Sequence, residues 1–116
     1  MQVVNIKKQY MVNSGYRDLE DWLTDTNHIY IGRNLVIYVK GAYESKWHNP
    51  YSIKKYGLDQ CLQLYEKHIR TSDLYHQLDE LEDKVLGCWC HPKRCHGDIL
   101  CSLLKEKREL VTKVNP

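Results

Sequence analysis

Short β-branched runs alternate with stretches of helical spacing along this 116-residue chain, and that alternation constrains the fold more than any other feature. Residues 3–6 (VVNI) and 28–33 (HIYIGR) are brief apolar runs of the kind a sheet buries. Between them, SGYRDLEDWLTD sets Leu19, Trp22 and Leu23 at helical spacing. Leu58, Cys61, Leu62, Tyr65 and Ile69 then fall on one helical face, with Asp59 near its start where an acid suits the helix dipole. Leu74, Leu78 and Leu81 continue on a second helix that Ser72 or Asp73 would cap. KVLGCWC at 84–90 is the next strand, and 97–105 is helical with Ile99, Leu100, Leu103 and Leu104 as its apolar stripe. The residues after it read as a frayed tail or an edge strand. Strands separated by helices pair in parallel. The expected fold is therefore α/β: one small layered domain over residues 1–116, its core about 3–104, with a mostly parallel, Rossmann-like sheet flanked by helices.

Composition excludes several function classes. Apolar residues at 42 % and charged residues at 28 % describe a globular chain. A net charge of +2 is low for a protein that grips many phosphates of a long nucleic acid. No run approaches the roughly 18 apolar residues of a membrane span, and the first residues lack a secretion signal. The expectation is an intracellular, cytoplasmic protein without a membrane partner. Five cysteines, an odd number, point in that setting to thiols or metal ligands rather than disulfides.

The stretch CWCHPKRCHGDIL at 88–100 carries the densest chemistry. It spans a strand's C-terminal end, a loop and the next helix's N-terminus, the edge at which open α/β sheets bind ligands. On the strand, Cys88 and Cys90 share one face and Trp89 takes the other. In the thiol reading, Cys95 sits at the helix start with Lys93, Arg94 and His96 nearby, all favouring an accessible thiolate. His96 or His91 would then carry a proton and Asp98 would orient it, which makes Cys95, His96 and Asp98 the candidate catalytic set. In the metal reading, Cys88, Cys90, Cys95 and His96 are soft ligands for zinc, although they crowd within nine residues where structural sites use two separated knuckles. No cofactor is firmly implied, and zinc is the alternative. Cys61 and Cys101 lie on apolar helix faces and read as packing residues.

A second polar grouping lies in YIGR and SKWHNP. Gly32 at a strand end permits close backbone approach. Arg33 offers a planar fork for phosphate or carboxylate. Ser45 and Lys46 add polar and positive groups, and Asn49 would read a base or sugar edge unless it merely builds an Asx turn before Pro50. With Cys90, these residues form the candidate ligand-binding set. Both groupings are expected to end at one sheet edge and to share one cleft.

In the order VVNI, YIGR, SKWHNPY, LGCWCHPKRCHGDIL, the chain resembles the family called domain of unknown function 4326. The resemblance runs from about residue 3 to 104, and CWC-x-P-x-x-CHGD is its specific part. It implies a source among phages, large DNA viruses, bacteria or some eukaryotes, and it implies a loose loop over residues 34–44. The residues themselves argue otherwise: NLVIYVKGAY reads as a third strand, pairing with 28–31 as a hairpin. The function expected from all of this is binding, and processing, of a nucleotide, nucleoside or nucleic-acid end. The alternative is a non-enzymatic zinc module for nucleic-acid or protein partners.

Overall fold

The computed structural model describes the backbone of residues 1–114 and the side chains of residues 1–110. Three strands, β1 (Gln2–Asn5), β2 (His28–Tyr30) and β3 (Val85–Cys88), form a wholly parallel sheet in the order β1-β3-β2. The last strand is thus central. This differs from the dinucleotide-binding arrangement, where the first strand sits mid-sheet. Pairing continues past the strand ends, because the Ile6 N–H donates to the Cys88 carbonyl at 2.9 Å and the Ile31 N–H to the Gly87 carbonyl at 3.1 Å.

Alternation along the strands divides the core into two layers. Val3, Ile31, Leu86 and Cys88 face α4 (Leu58–Arg70), α5 (Leu74–Gln77), the 3-10 turn Leu78–Leu81, and α6 (His96–Val114). Ile6, Tyr30 and the partly buried Val4, Val85 and Trp89 face α1 (Lys8–Asn13) and α2 (Leu19–Trp22). The sheet is therefore covered on both faces, as a parallel sheet of short apolar strands requires. Within α4 the predicted stripe is the buried one: Cys61, Leu62, Tyr65 and Ile69. The predicted second helix is split into α5 and the 3-10 turn, with Leu78 and Leu81 buried. Helix α6 runs past Leu104 to Val114, so residues 108–114 are neither frayed tail nor edge strand; residues 115–116 lie outside the described residues. Among the described residues no helix is long and apolar enough to cross a membrane.

The strand expected over residues 34–43 does not form. Leu35, Val39 and Ala42 turn inward onto the α1/α2 layer, whereas Ile37 is 89 % and Tyr38 85 % exposed. Inward positions four and three apart belong to successive turns, not to a pleat of period two. Hydrogen bonds from Val39 N–H to the Leu35 carbonyl and from Leu35 N–H to the Ala42 carbonyl close the loop on itself. Gly41 supplies the positive φ of 93° that reverses it. The β-branched composition was a false strand signal, and the loop implied by the family resemblance is what the chain adopts.

Gly87 shows how tightly the central strand is covered. A Cβ there would lie 2.8 Å from both Ile6 and the Trp22 ring, closer than carbon atoms pack without displacement. Gly87→Ala is expected to lower the unfolding free energy by about 1–3 kcal/mol through overpacking, read from urea denaturation. An unchanged midpoint would mean that the Trp22 layer yields without strain.

Candidate functional site

Immediately after β2, three successive carbonyls are held by three different parts of the chain. The Ile31 carbonyl accepts from His96 Nε2 at 2.6 Å. The Gly32 carbonyl accepts the Ser45 N–H at 3.0 Å. The Arg33 carbonyl accepts the Tyr30 hydroxyl at 2.6 Å, and that hydroxyl oxygen in turn accepts Trp89 Nε1–H at 2.9 Å. The Tyr30 ring folds back over Gly32, so that any side chain at position 32 would collide with the phenol. Gly32 is needed for this close approach. A trans peptide points its N–H away from its C=O. Among the described residues, the N–H groups of Gly32 and Arg33 have no protein acceptor.

The SKWHNP segment is anchored from below. Trp47 is buried, and the buried Tyr65 hydroxyl donates to the Trp47 carbonyl at 2.7 Å. Ser45 Oγ accepts the Trp47 N–H at 3.0 Å. Asn49 Oδ1 accepts the Tyr51 N–H at 2.9 Å, and its Nδ2 donates to Cys61 Sγ at 3.2 Å. The Asx turn is therefore real: Asn49 Oδ1 builds it, and Nδ2 ties it to Cys61 of α4. Cys61 is more than packing, since its thiol also donates to the Tyr51 carbonyl at 3.2 Å.

The loop after β3 is fixed by Asn5, whose Nδ2 donates to the His91 carbonyl at 2.7 Å while its Oδ1 accepts the Lys7 N–H at 2.8 Å. Nothing in the sequence singles out Asn5, because a lone Asn ending an apolar run has no distinctive spacing. The loop then enters α6 through a capping arrangement. Cys95 is the residue before the first helical turn, and the Asp98 carboxylate accepts its N–H at 3.0 Å. The Asp98 N–H in turn donates to the Cys95 carbonyl at 3.0 Å. Gly97 lets this helix end come against Val3 and Ile31, where a Cβ would sit 3.0–3.1 Å from their methyl groups.

These loops enclose a cleft of about 460 Å³, lined by Gly32, Arg33, Asn49, Cys90 and His96 together with Tyr51, Ser52, Ile53, Lys54 and Trp89. Five expected site residues thus meet at the C-terminal edge of β2 and β3. The remaining ones are elsewhere. Lys46 pairs with Glu80 at 2.7 Å and bonds Gln77 at 2.6 Å, so it is committed to another surface. Ser45 acts through its backbone and hydroxyl to hold the loop. Asp98 caps α6, and Cys95 is only 3 % exposed behind the cleft wall. Cys95 was expected to be open, and the packing of the α6 start against the sheet closes it. Tyr51, Ser52 and Lys54 join the site without a sequence signal: they sit at or in the short helix α3 (Ile53–Tyr56), capped by Ser52 Oγ and too short for a helical stripe to show. A larger hollow of about 690 Å³ opens beside Met1, Asp83 and α6, but it contains none of the motif residues.

Cations differ in what they have left to offer. Arg94 is paired with Asp59 at 2.7 Å, which removes half of the expected Lys93–Arg94 basic loop. Among the described residues Arg33 and Lys54, both on the cleft, have no ion pair. Cys90 lies within the field of Lys7, Arg33 and Lys93, although burial leaves its thiol above the ordinary range. Cys88 and Cys95 behave as a unit. The hydrogen bond from Cys95 lowers Cys88, and sharing that hydrogen bond together with burial raises Cys95, so the first proton leaves easily and the second is held.

The zinc set does not converge. Among the described residues, no group of three or more His, Cys, Asp or Glu is arranged to hold a metal ion. His96 gives its Nε2 to a carbonyl, which only accepts, so Nε2 carries the hydrogen and Nδ1 is a lone pair. Burial pushes His96 below the ordinary histidine range, and the neighbouring His48 pushes the same way. A histidine held neutral by burial adds stability that is present above its unfolded pKa of about 6.5 and lost as pH falls through its lower folded value. His96→Gln keeps a donor for Ile31 and removes the titration. Thermal midpoints across this window are expected to fall less steeply with acidification in the variant than in the natural chain. Parallel curves would show that His96 is not the group responsible.

Comparison with known proteins agrees with the motif order. Residues 16–106 match the family described as domain of unknown function 4326. The chain is similar to an uncharacterised protein of Acanthamoeba polyphaga mimivirus, 40 % identical over an alignment of 86 residues, with 66 % of this chain and 66 % of that protein covered. The chain thus spans about two thirds of that relative's length. No solved structure matches. With the family match covering most of its length, including all of the cleft residues, the chain belongs to the domain of unknown function 4326 family.

Proposed function

We propose that the cleft binds a nucleotide-like ligand, an aromatic base carrying a phosphate, and that His96 is the group placed to exchange a proton with it. One observation carries the reading: Arg33 and Lys54, neither of them ion-paired, line the same cleft, and the N–H groups of Gly32 and Arg33 at its edge have no protein acceptor among the described residues. Two free cations and two free amides suit a phosphate, because charge-assisted bonds to a planar guanidinium and to backbone N–H groups are the strong ones. Tyr51 and Trp89 supply the aromatic surface on which a base stacks. The cleft volume of about 460 Å³ falls in the range of small-molecule sites.

Charge favours a mononucleotide or a nucleic-acid end over a long duplex. A net charge of +2, with Lys46, Arg70 and Arg94 tied to acids, gives few phosphate contacts. Five free thiols accord with a reducing, intracellular setting for this activity. The chemical step first sought in Cys95, His96 and Asp98 narrows to His96, with Cys90 as the thiol on the cleft.

Calorimetric titration with ribonucleoside monophosphates and the matching nucleosides tests the reading. Saturable binding of a monophosphate, weaker for its nucleoside, is the expected result. Arg33→Ala should weaken it about 10- to 100-fold, the range of a lost charge-assisted bond, while Lys46→Ala should leave it unchanged. Absence of binding across the panel, or equal losses at Arg33 and Lys46, would overturn the assignment.

A further inference from the structure

Two of the five thiols stand apart from the rest. Cys88 ends β3 and Cys95 caps α6, and their sulfurs lie 3.5 Å apart with 1 % and 3 % of the residues exposed. Cys61 is occupied with Asn49 and the Tyr51 carbonyl, Cys90 lines the cleft, and Cys101 lies within α6. A disulfide needs its sulfurs at about 2.05 Å, so closure requires an approach of about 1.5 Å. The two residues are held together by independent structure: the Asn5 clamp on the loop between them, and the Asp98 carboxylate on the Cys95 N–H.

We propose that Cys88 and Cys95 form a reversible dithiol–disulfide site, oxidised by a hydroperoxide. The sulfur of one cysteine, as thiolate, attacks the distal peroxide oxygen. The O–O bond breaks, leaving a sulfenic acid, and the departing oxygen takes up a proton to leave as water or alcohol. The second sulfur then displaces the sulfenic oxygen as water, and the S–S bond forms. The two thiols are oxidised by two electrons, the peroxide is reduced, and the two thiol hydrogens end in the oxygen products. A small oxidant fits the burial of the pair, and a reducing thiol reverses the bond. The site adjoins the cleft, because the residue after Cys95 is His96, whose Nε2 holds the Ile31 carbonyl. Oxidation thereby acts on the wall that positions Gly32 and Arg33. This inference does not depend on the ligand of the cleft.

Trypsin cuts after Lys93 and Arg94 and so separates peptides 85–93 and 95–105, which carry the two cysteines. The full chain, its native fold verified by circular dichroism, is treated with hydrogen peroxide, alkylated in denaturant, digested and read by mass spectrometry. The expected product is the two peptides joined, lighter by two hydrogens, and released by dithiothreitol. In a Cys90→Ser, Cys101→Ser double variant, Cys88 and Cys95 are the only cysteines in these peptides, and the link should persist. Fragment spectra of the natural chain locate the bond independently of how that variant folds. A link that maps to Cys90 or Cys101, or oxidation to sulfinic acid without any link, would overturn the proposal and leave the pair as packing.

Discussion

The clamp on residues 31–33 is the constraint on which the rest of the site depends. Each of three adjacent carbonyls is satisfied by a separate segment: the α6 start through His96, the SKWHNP loop through Ser45, and β2 itself through Tyr30. A strand end leaving a sheet ordinarily loses its ladder partners to water. Here the ladder is replaced by side chains and a loop amide drawn from residues far apart in sequence. The replacement fixes the path of the backbone, and it turns the intervening N–H groups away from protein acceptors. Gly32 is the residue that lets Tyr30 close over the backbone, and Trp89 holds the Tyr30 hydroxyl from the neighbouring strand. The motif YIGR therefore makes physical sense as a unit. Tyr and Gly build the support for the Arg.

The loop after β3 solves the complementary problem. It must leave the central strand, turn, and deliver a helix start against the same edge. Asn5 ties it to β1, and at the N-terminus of α6 the Asp98 carboxylate accepts the Cys95 N–H while the Asp98 N–H donates to the Cys95 carbonyl. Those amides and that acid are thus parts of one cap. Asp98 at the helix start reads in sequence as a catalytic or ligand-binding acid, yet its carboxylate is already placed on a backbone N–H. The anion-attracting helix end that open α/β sheets often present is, in this chain, occupied from within. Positive character at the sheet edge comes from Arg33 and Lys54 instead.

Much of the architecture was legible because it follows from periodicity. The α4 stripe, the three strands and their parallel pairing, and the shared edge of the two motif groups all come from spacings that a side chain's geometry enforces. What was not legible depended on partners remote in sequence. The run 34–43 is rich in β-branched residues, but strand formation needs an edge to pair with, and this segment packs on α1 and α2 by Leu35, Val39 and Ala42 instead. Cys95 has the neighbours of a reactive thiol; its burial comes from the contact of the α6 start with Val3 and Ile31, which no local pattern encodes. Lys46 and Arg33 look alike in sequence as cations near a loop. Glu80, more than thirty positions away, distinguishes them by pairing with one and not the other.

That last distinction bears on how this nearly neutral chain would attract the proposed anionic ligand. With a net charge of +2, long-range steering is weak, and charges separated by more than a Debye length of about 8–10 Å are screened at physiological salt. Selectivity must come from which cations remain unneutralised at short range. Lys46, Arg70 and Arg94 each lie beside a carboxylate, so their fields are largely cancelled a few ångströms away. Arg33 and Lys54 are not cancelled in this way, and they border a partly enclosed space in which water is reduced and the effective dielectric falls. Charge from Arg33 and Lys54 and the aromatic rings of Tyr51 and Trp89 border this space together. His96, held neutral by its burial, adds no competing positive charge and keeps a lone pair for a proton. The pairing of Lys46, Arg70 and Arg94 with carboxylates therefore sets them apart from Arg33 and Lys54, whose charge at the cleft has no acid beside it among the described residues.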